Sequence, residues 1–203
     1  MFITLEGIDG CGKSSQSERL AQWLTELTGH ETVRTYEPGG YQGGESLRRF
    51  ILESRDLSFL SELLLFLADR AEHVSRVIAP ALQAGHNVIC ERWNESTLAY
   101  QSGGHKLGIE EVRRLIAACD FPEPDMKILL DITPELAISR IHERNGTHAD
   151  KFEAEGLALL RKVSGFYREL AEAGELTRIK CMYMNQDEVF AAVTSEINAW
   201  LSR

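Results

Sequence analysis

The strongest constraint on this chain is a glycine-rich segment, residues 7–14, with the sequence GIDGCGKS. It matches the pattern G-x-x-x-x-G-K-[ST] without a mismatch, follows the strand-like stretch Phe2–Leu5 and precedes the amphipathic helical pattern Ser14–Leu27. In this strand–loop–helix setting the glycines let backbone N–H groups point at a phosphate, and the helix dipole adds positive potential. The segment predicts a nucleoside triphosphate site, with Lys13 directed at the β- and γ-phosphates and Ser14 at Mg²⁺.

Short apolar stretches alternate with helical patterns along the rest of the chain. Further strand patterns are Thr32–Tyr36, Asn87–Cys90, Lys127–Ile132 and Arg178–Met182. Helical patterns are Ser58–Gln83, Ile109–Ala118, Pro134–Glu143, Glu155–Ala173 and Glu188–Leu201. Pro80 is expected to bend or end the first of these helices. The alternation predicts an α/β fold with a parallel five-stranded sheet and helices on both faces, and the glycine-rich segment 7–14 indicates that this sheet is of the P-loop NTPase type. An antiparallel α+β domain would need hairpin turns that the sequence lacks, and 203 residues predict a single domain, residues 1–203.

Composition narrows the possible partners and the compartment. The chain has 22 Lys and Arg against 31 Asp and Glu, a net charge of −9, which disfavours binding to a nucleic acid polymer. Its longest apolar stretch, Leu63–Ala68, is too short to span a membrane, and no signal-peptide pattern opens the sequence. Four cysteines without a C-x-x-C pair predict reduced thiols in a cytoplasmic protein.

The class of nucleotide protein follows from what accompanies the loop. A switch GTPase would need a guanine-reading N-K-x-D, and the sequence contains none. We therefore predict a small kinase that transfers the γ-phosphoryl group to a small acceptor. Such a transfer between anions needs converging cations, and four segments offer acceptor-site candidates: residues 37–40 (EPGG), the helical pair Phe66 and Arg70, the strand end Glu91-Arg92, and a lid over about residues 140–152.

Several of these segments together resemble the thymidylate kinases of the nucleoside-monophosphate kinase family. The matching segments are EGIDGCGKSSQ (6–16), EPGG (37–40), LLFLADR (64–70), ERWNESTLAYQ (91–101), PD (124–125), LLD (129–131) and TPE (133–135). They occur in the family's order and extend from residue 2 to about residue 170. The resemblance implies transfer of the ATP γ-phosphoryl group to dTMP, with Mg²⁺ as cofactor, and commonly a homodimer that pairs through helices such as Ser61–Val77.

The resemblance also implies roles for individual residues. The ATP-binding set is Gly7, Ile8, Asp9, Gly10, Cys11, Gly12, Lys13, Ser14, Ser15 and Arg140. The dTMP-binding set is Asp9 (sugar 3′-hydroxyl), Glu37, Pro38 (C5-methyl pocket), Phe66 (base stacking), Arg70 (O4), Thr97 (N3), Tyr100 (against C2′), Gln101 and Arg92 (acceptor phosphate). The metal would be held at Ser14 and Glu91, and the catalytic cations would be Lys13, Arg92, Arg144 and Lys151.

Three positions depart from the family pattern. Tyr36 stands where the family often has an arginine, Glu91 replaces the usual aspartate, and Lys151 replaces a lid arginine. Family members from bacteria carry their catalytic cation in the lid, where Arg144 is the first candidate and Lys151 the second. These departures leave open a kinase for another pyrimidine monophosphate, and a nucleotide-binding regulator without turnover is the alternative outside the kinases.

Each role also has a purely structural interpretation. Phe66 could be core, Arg70 could be a surface partner of Glu62 or Glu72, and Tyr100 could be an amphipathic cap. The six histidines show no metal spacing, so we expect no transition metal.

Overall fold

The computed structural model describes residues 1–104, 108–145 and 156–202. Five strands form one sheet: β1 (Phe2–Glu6), β2 (Thr32–Tyr36), β3 (Asn87–Glu91), β4 (Met126–Asp131) and β5 (Thr177–Lys180). All neighbours are parallel, in the order β2-β3-β1-β4-β5. Every residue of β1 and β3 is buried, as a strand covered by helices on both sides requires. The predicted α/β fold class and the parallel five-stranded sheet are confirmed.

Nine α-helices accompany the sheet in the described part of the chain: α1 (Lys13–Thr28), α2 (Glu45–Glu53), α3 (Phe59–His73), α4 (Ala79–Gln83), α5 (Asn94–Thr97), α6 (Ile109–Ala118), α7 (Pro134–Asn145), α8 (Gly156–Glu172) and α9 (Gln186–Leu201). Local chemistry sets several helix ends. Gly29, with φ of 71°, ends α1, a conformation that glycine adopts without strain. Asn185 and Glu188 form a reciprocal capping box at the start of α9.

Pro80 neither ends nor simply bends the predicted Ser58–Gln83 helix. A π-helical turn, Val74–Ile78, separates α3 from α4, and Pro80 lies in the first turn of α4. Proline has no N–H group to donate four residues back. At the end of the turn, the N–H group of Ala79 bonds to the carbonyl of Val74, five residues earlier. The proline therefore begins a new helical segment after a widened turn.

Two helices near the cleft were not predicted, α2 and the four-residue α5. Helix α2 places Ile51 in the core, and Leu47 lies half-buried one turn earlier. A second π-helical segment, Leu98–Gly104, continues from α5. These elements lie around the carboxyl ends of β2 and β3, where a doubly wound sheet places its ligand-binding loops.

Candidate active site

The carboxyl ends of the strands open into a cleft of about 1000 Å³. Residues at or after the ends of β1, β2, β3 and β5 line it, so it runs across most of the sheet edge. Four inter-strand spacings of about 4.8 Å separate β2 from β5, which gives this edge a length of roughly 19 Å. Six described lining side chains are cationic and four are carboxylates. The lining therefore favours anions although the chain carries a net charge of −9.

Residues 7–12 form the predicted phosphate loop, and close packing requires glycine at two of its positions. Gly7 has φ of 136°, and a Cβ atom there would lie 2.7 Å from the carbonyl oxygen of Leu130. Gly10 has φ of 80°, and its Cβ would lie 2.7 Å from the carbonyl oxygen of Ala137. The Lys13 ammonium group donates to two carbonyl oxygens of the loop over 2.9 and 3.1 Å. The loop thus curls around its own lysine at the start of α1.

A hydroxyl group and a carboxylate meet beside this loop. The Ser14 hydroxyl donates to Oε2 of Glu91 over 2.6 Å, which leaves its oxygen lone pairs available to a cation. Burial alone would raise the pKa of Glu91, but its hydrogen bonds, from Ser14 first, and the charge of Lys13 lower it below its ordinary value. The carboxylate is therefore ionised at neutral pH. Hydroxyl and carboxylate oxygens are ligands that suit Mg²⁺, so these two residues fit the ion that the loop implies.

Arg92 connects the end of β3 to the phosphate loop. Its backbone has φ of 73°, a conformation that residues other than glycine rarely adopt. Its Nη2 atom lies 2.6 Å from Oδ1 of Asp9, and Nη1 donates to the Ser96 hydroxyl over 3.3 Å. Burial alone would lower the pKa of Arg92, but the charge of Asp9 raises it well above its ordinary value. Arg92 is a permanent cation at the centre of the cleft.

A buried carboxyl group lies beneath Arg92. Oε2 of Glu6 accepts hydrogen bonds from the hydroxyls of Ser96, over 2.5 Å, and Tyr167, over 3.1 Å. Burial, reinforced by the charge of Glu95, raises the pKa of Glu6 to about 7. The network anchors the Ser96 hydroxyl, which in turn holds the guanidinium group of Arg92.

Arg70 is buried, with 2% of its surface exposed, and forms the polar end of the cleft above β2 and β3. It donates to Oε2 of Glu37 over 2.7 Å, to Oδ1 of Asn94 over 2.8 Å and to Oγ1 of Thr97 over 3.0 Å. The interpretation of Arg70 as a surface partner of Glu62 or Glu72 is therefore wrong. The half-buried Phe66, one helical turn earlier, lines the cleft beside it.

Besides the Arg70–Glu37 pair, further buried contacts fix the segment 37–40 against α3. Oε1 of Glu37 lies 3.0 Å from Nδ1 of His73, whose other ring nitrogen lies 2.6 Å from the Thr35 hydroxyl. The N–H group of Gly39 donates to Oδ2 of Asp69 over 2.9 Å. Burial raises the pKa of Asp69 to about 6, against the opposing effect of this hydrogen bond. The segment therefore presents Pro38 to the cleft from a rigid support.

At the β5 end, the lining combines apolar side chains with the polar residues Asn185 and Gln186. Cys181, Met184 and Val189 contribute to it, and the Gln16 side chain donates to the carbonyl oxygen of Gln186 over 2.9 Å. Burial raises the pKa of Cys181 to about 12, so this thiol is protonated at neutral pH. This end suits the flat apolar faces of a nucleobase.

The structure brings most of the predicted site residues together in this cleft. The predicted residues that line it are Asp9, Gly10, Cys11, Gly12, Lys13, Ser14, Ser15, Glu37, Pro38, Phe66, Arg70, Glu91, Arg92, Thr97, Tyr100, Gln101 and Arg140. Gly7 and Ile8 lie behind the lining and contribute carbonyl oxygens that bind Lys13. The Arg144 side chain and Lys151 lie outside the described residues.

Sequence reasoning missed two arginines that line the cleft, Arg34 on β2 and Arg48 on α2. Arg48 donates to the carbonyl oxygen of Pro38 over 2.8 Å, and its guanidinium carbon lies 5.5 Å from the centroid of the Tyr36 ring. The spacing of Leu47 and Ile51, four residues apart, was the signal for α2 that could have placed Arg48. Arg34 had no such signal, because an arginine within a predicted strand gives no indication of its partners.

Comparisons with known proteins agree with this geometry. Residues 5–191 match the family model described as thymidylate kinase. The thymidylate kinase of Desulfovibrio desulfuricans is 41% identical, with 100% of this chain and 97% of that protein covered. A thymidylate kinase from a Synechococcus species is 46% identical, with 85% and 82% covered.

Solved structures give the same result for the fold. The crystal structure of thymidylate kinase from Ehrlichia chaffeensis superposes with a TM-score of 0.77 at 30% identity, covering 98% of each chain. The phosphate loop, the fixed 37–40 segment and these full-length similarities lead to one conclusion: the chain belongs to the thymidylate kinase family.

Proposed function

We propose that this chain transfers the γ-phosphoryl group of ATP to dTMP, giving ADP and dTDP. The observation that carries the proposal is the continuity of the cleft. It has the phosphate loop at its centre, the apolar side chains of Met184 and Val189 at the β5 end, and the buried polar group at Arg70 at the other end. Both nucleotides therefore bind with their phosphates toward Lys13 and Arg92.

The acceptor base binds between Phe66 and the buried polar group at Arg70. The three hydrogen bonds of Arg70 use three of its five N–H donors, which leaves donors for O4 of thymine. Oγ1 of Thr97 accepts from Arg70 and has a second lone pair for the N3–H group of the base. Cytosine presents an amino group at position 4 and no hydrogen at N3, so this pair of residues favours thymine or uracil. Pro38 borders the position of the C5-methyl group.

The transfer joins an oxygen of the dTMP phosphate to the γ-phosphorus and breaks the bond from that phosphorus to the β–γ bridging oxygen. The acceptor oxygen is already anionic at neutral pH, so no side chain has to remove a proton. Lys13 and Arg92 neutralise the two phosphates, which lowers their mutual repulsion, and Asp9 fixes Arg92 through their 2.6 Å contact. We propose that the lid cations Arg144 and Lys151 and the residue Arg140 complete this set.

Ser14 and Glu91 would hold Mg²⁺. The ion supplies charge neutralisation at the β- and γ-phosphates when it is bound. Glu91 contributes an ionised carboxylate, and its hydrogen bond orients the Ser14 hydroxyl.

A panel of acceptors tests the proposal and separates it from its alternatives. ADP release with ATP and Mg²⁺ is measured for dTMP, dUMP, dCMP and UMP at equal concentrations. We expect dTMP to have the highest kcat/KM, dUMP to follow and dCMP to be the poorest deoxynucleotide, because Arg70 and Thr97 match a 4-oxo pyrimidine. A different preferred acceptor would support the sibling kinase, and binding without turnover would support the regulator.

We propose a homodimer that pairs through α2 and α3. Phe50, Phe59, Leu60 and Leu64 are large apolar side chains with 40% or more of their surface exposed on these two helices. An exposed apolar surface of this kind is typical of a subunit interface. The molar mass measured by light scattering, with Leu64→Glu as the disrupted form, tests this assignment.

We propose a cytoplasmic location. All four cysteines lie within the described residues and each is a free thiol, which suits a reducing compartment. Among the described residues, no helix combines the length and apolarity that crossing a bilayer requires. Fractionation of cells that express the chain tests the location.

A further inference from the structure

Arg34 is a cleft residue that neither the sequence analysis nor the proposed reaction has used. It lies on β2, and its side chain reaches across β3 to the start of α1. Its Nε atom donates to the Ser17 hydroxyl over 2.7 Å, and its Nη2 atom donates to Oε1 of Glu91 over 3.0 Å and to the carbonyl oxygen of Ser14 over 3.2 Å. One guanidinium group therefore joins β2, β3 and α1 beside the phosphate loop.

The two oxygens of the Glu91 carboxylate have different partners. Oε1 lies 2.7 Å from the Ser17 hydroxyl and 3.0 Å from Nη2 of Arg34. Oε2 accepts the 2.6 Å hydrogen bond from Ser14, the residue that would hold Mg²⁺. The contacts of Oε1 with Ser17 and Arg34 thus fix which oxygen faces the metal side.

A glutamate needs this support more than an aspartate would. Glu91 has one more methylene group and one more rotatable bond than the aspartate that the family pattern usually has directly before the arginine at position 92. Each freely rotating bond must be fixed before the carboxylate can act as a metal ligand, and fixing it costs conformational entropy. The guanidinium group of Arg34 is planar and offers two nitrogens at a fixed spacing, so it can hold Ser17 and Glu91 at the same time.

We propose that Arg34 is a positioning residue for the metal site: it holds Oε1 of Glu91 so that Oε2 stays directed at Ser14 and the Mg²⁺ beside it. The inference rests on the proposed function for the presence of Mg²⁺ and nucleotide at the loop, and it is independent of which monophosphate is the acceptor.

The test measures binding by isothermal titration, without turnover. The dissociation constant of ADP is measured once with Mg²⁺ and once with EDTA. The value in EDTA divided by the value with Mg²⁺ reports the contribution of the metal. We expect Arg34→Gln to reduce this ratio about tenfold, at the lower end of what loss of an outer-shell partner of a metal site costs. The affinity for ADP in EDTA and the affinity for dTMP should each stay within about twofold of wild type.

Four further variants sharpen the result. Arg34→Lys, which offers a single ammonium group, should give an intermediate ratio. Glu91→Asp removes the extra rotatable bond, so adding Arg34→Gln to that variant should change the ratio less than twofold. Arg161→Gln is the matched control, because Arg161 also pairs with a glutamate, Glu135, at 2.8 Å but lies on an exposed surface outside the cleft. Circular dichroism and the thermal midpoint of each variant show that it is folded.

Four outcomes would overturn the inference about Arg34. An unchanged ratio in Arg34→Gln overturns the inference and leaves the proposed function intact. A loss of dTMP affinity with an unchanged metal ratio also overturns it, because Arg34 would then bind the acceptor phosphate directly. If Arg34→Gln lowers the ratio as much in the Glu91→Asp variant as it does in wild type, the positioning role is overturned. If wild type binds ADP equally well with and without Mg²⁺, both this inference and the proposed metal site fail.

Discussion

At the scale of the residue, Tyr100 has two parts that substitution can separate. The residue is 6% exposed and lines the cleft, and its hydroxyl group lies 3.4 Å from Nη2 of Arg92. We expect the ring to lie against C2′ of the acceptor sugar and to exclude a 2′-hydroxyl group. Tyr100→Ala should therefore narrow the preference for dTMP over its ribonucleotide by on the order of tenfold, measured as the ratio of kcat/KM values.

Tyr100→Phe is the matched control, because it keeps the ring and removes the hydroxyl group together with its contact with Arg92. It should retain the preference for the deoxynucleotide even if its kcat falls. An unchanged preference in Tyr100→Ala would mean that another group selects the sugar. Thermal midpoints of both variants show how much of any change comes from lost packing.

At the scale of the element, the junction between the 37–40 segment and α3 depends on pH through Asp69. Its pKa is raised to about 6 from an ordinary value of 3.8, with burial as the first cause. A carboxyl group with a raised folded-state pKa contributes stability that is fully present below the ordinary pKa and is lost as the pH rises through the folded value. The wild-type junction should therefore weaken between about pH 4 and pH 6.

Asp69→Asn removes this titration and keeps an oxygen that can accept from Gly39. The thermal midpoint of the variant, minus that of wild type, should become more positive between pH 4.5 and pH 7. Asp56→Asn is the matched control, because Asp56 is exposed and lies outside this junction. The difference in thermal midpoint between this control and wild type should not change with pH. A flat difference for Asp69→Asn as well would show that the pKa of Asp69 is not raised.

At the scale of the whole molecule, we expect the cleft of about 1000 Å³ to hold both nucleotides at once. It extends from Phe66 at one end to Val189 at the other, with Lys13 and Arg92 between them. Both phosphates then meet directly, and a covalent phosphoenzyme is unnecessary. Initial rates measured against ATP at several fixed dTMP concentrations should give intersecting double-reciprocal lines.

Parallel lines, together with transfer of labelled phosphate from ATP to the protein in the absence of dTMP, would contradict this prediction. A conjugate that links adenosine to thymidine through a phosphate chain provides an independent check. It should compete with ATP and with dTMP, because it occupies both ends of the same cleft.

Local sequence was sufficient for the phosphate loop, the parallel sheet and most helices. The bounds of β2 (Thr32–Tyr36) and α6 (Ile109–Ala118) agree with the prediction to the residue. Buried parallel strands have continuous apolar stretches, and a phosphate loop needs glycines at fixed spacing, so both leave a pattern that can be recognised in one segment. The acceptor residues were found because family motifs name them, and their roles remain predictions.

The tertiary structure alone decided which distant groups share an environment. It buried Arg70 against Glu37, opened the Ser58–Gln83 helix into a π-helical turn and brought Arg48 of α2 to the cleft. Arg34 and Glu91 are separated by 57 positions in the chain, yet parallel pairing of β2 with β3 brings their side chains together. Local sequence determines which backbone conformations a segment prefers, whereas burial and charge partners depend on contacts between segments, and those contacts exist only after the sheet has formed.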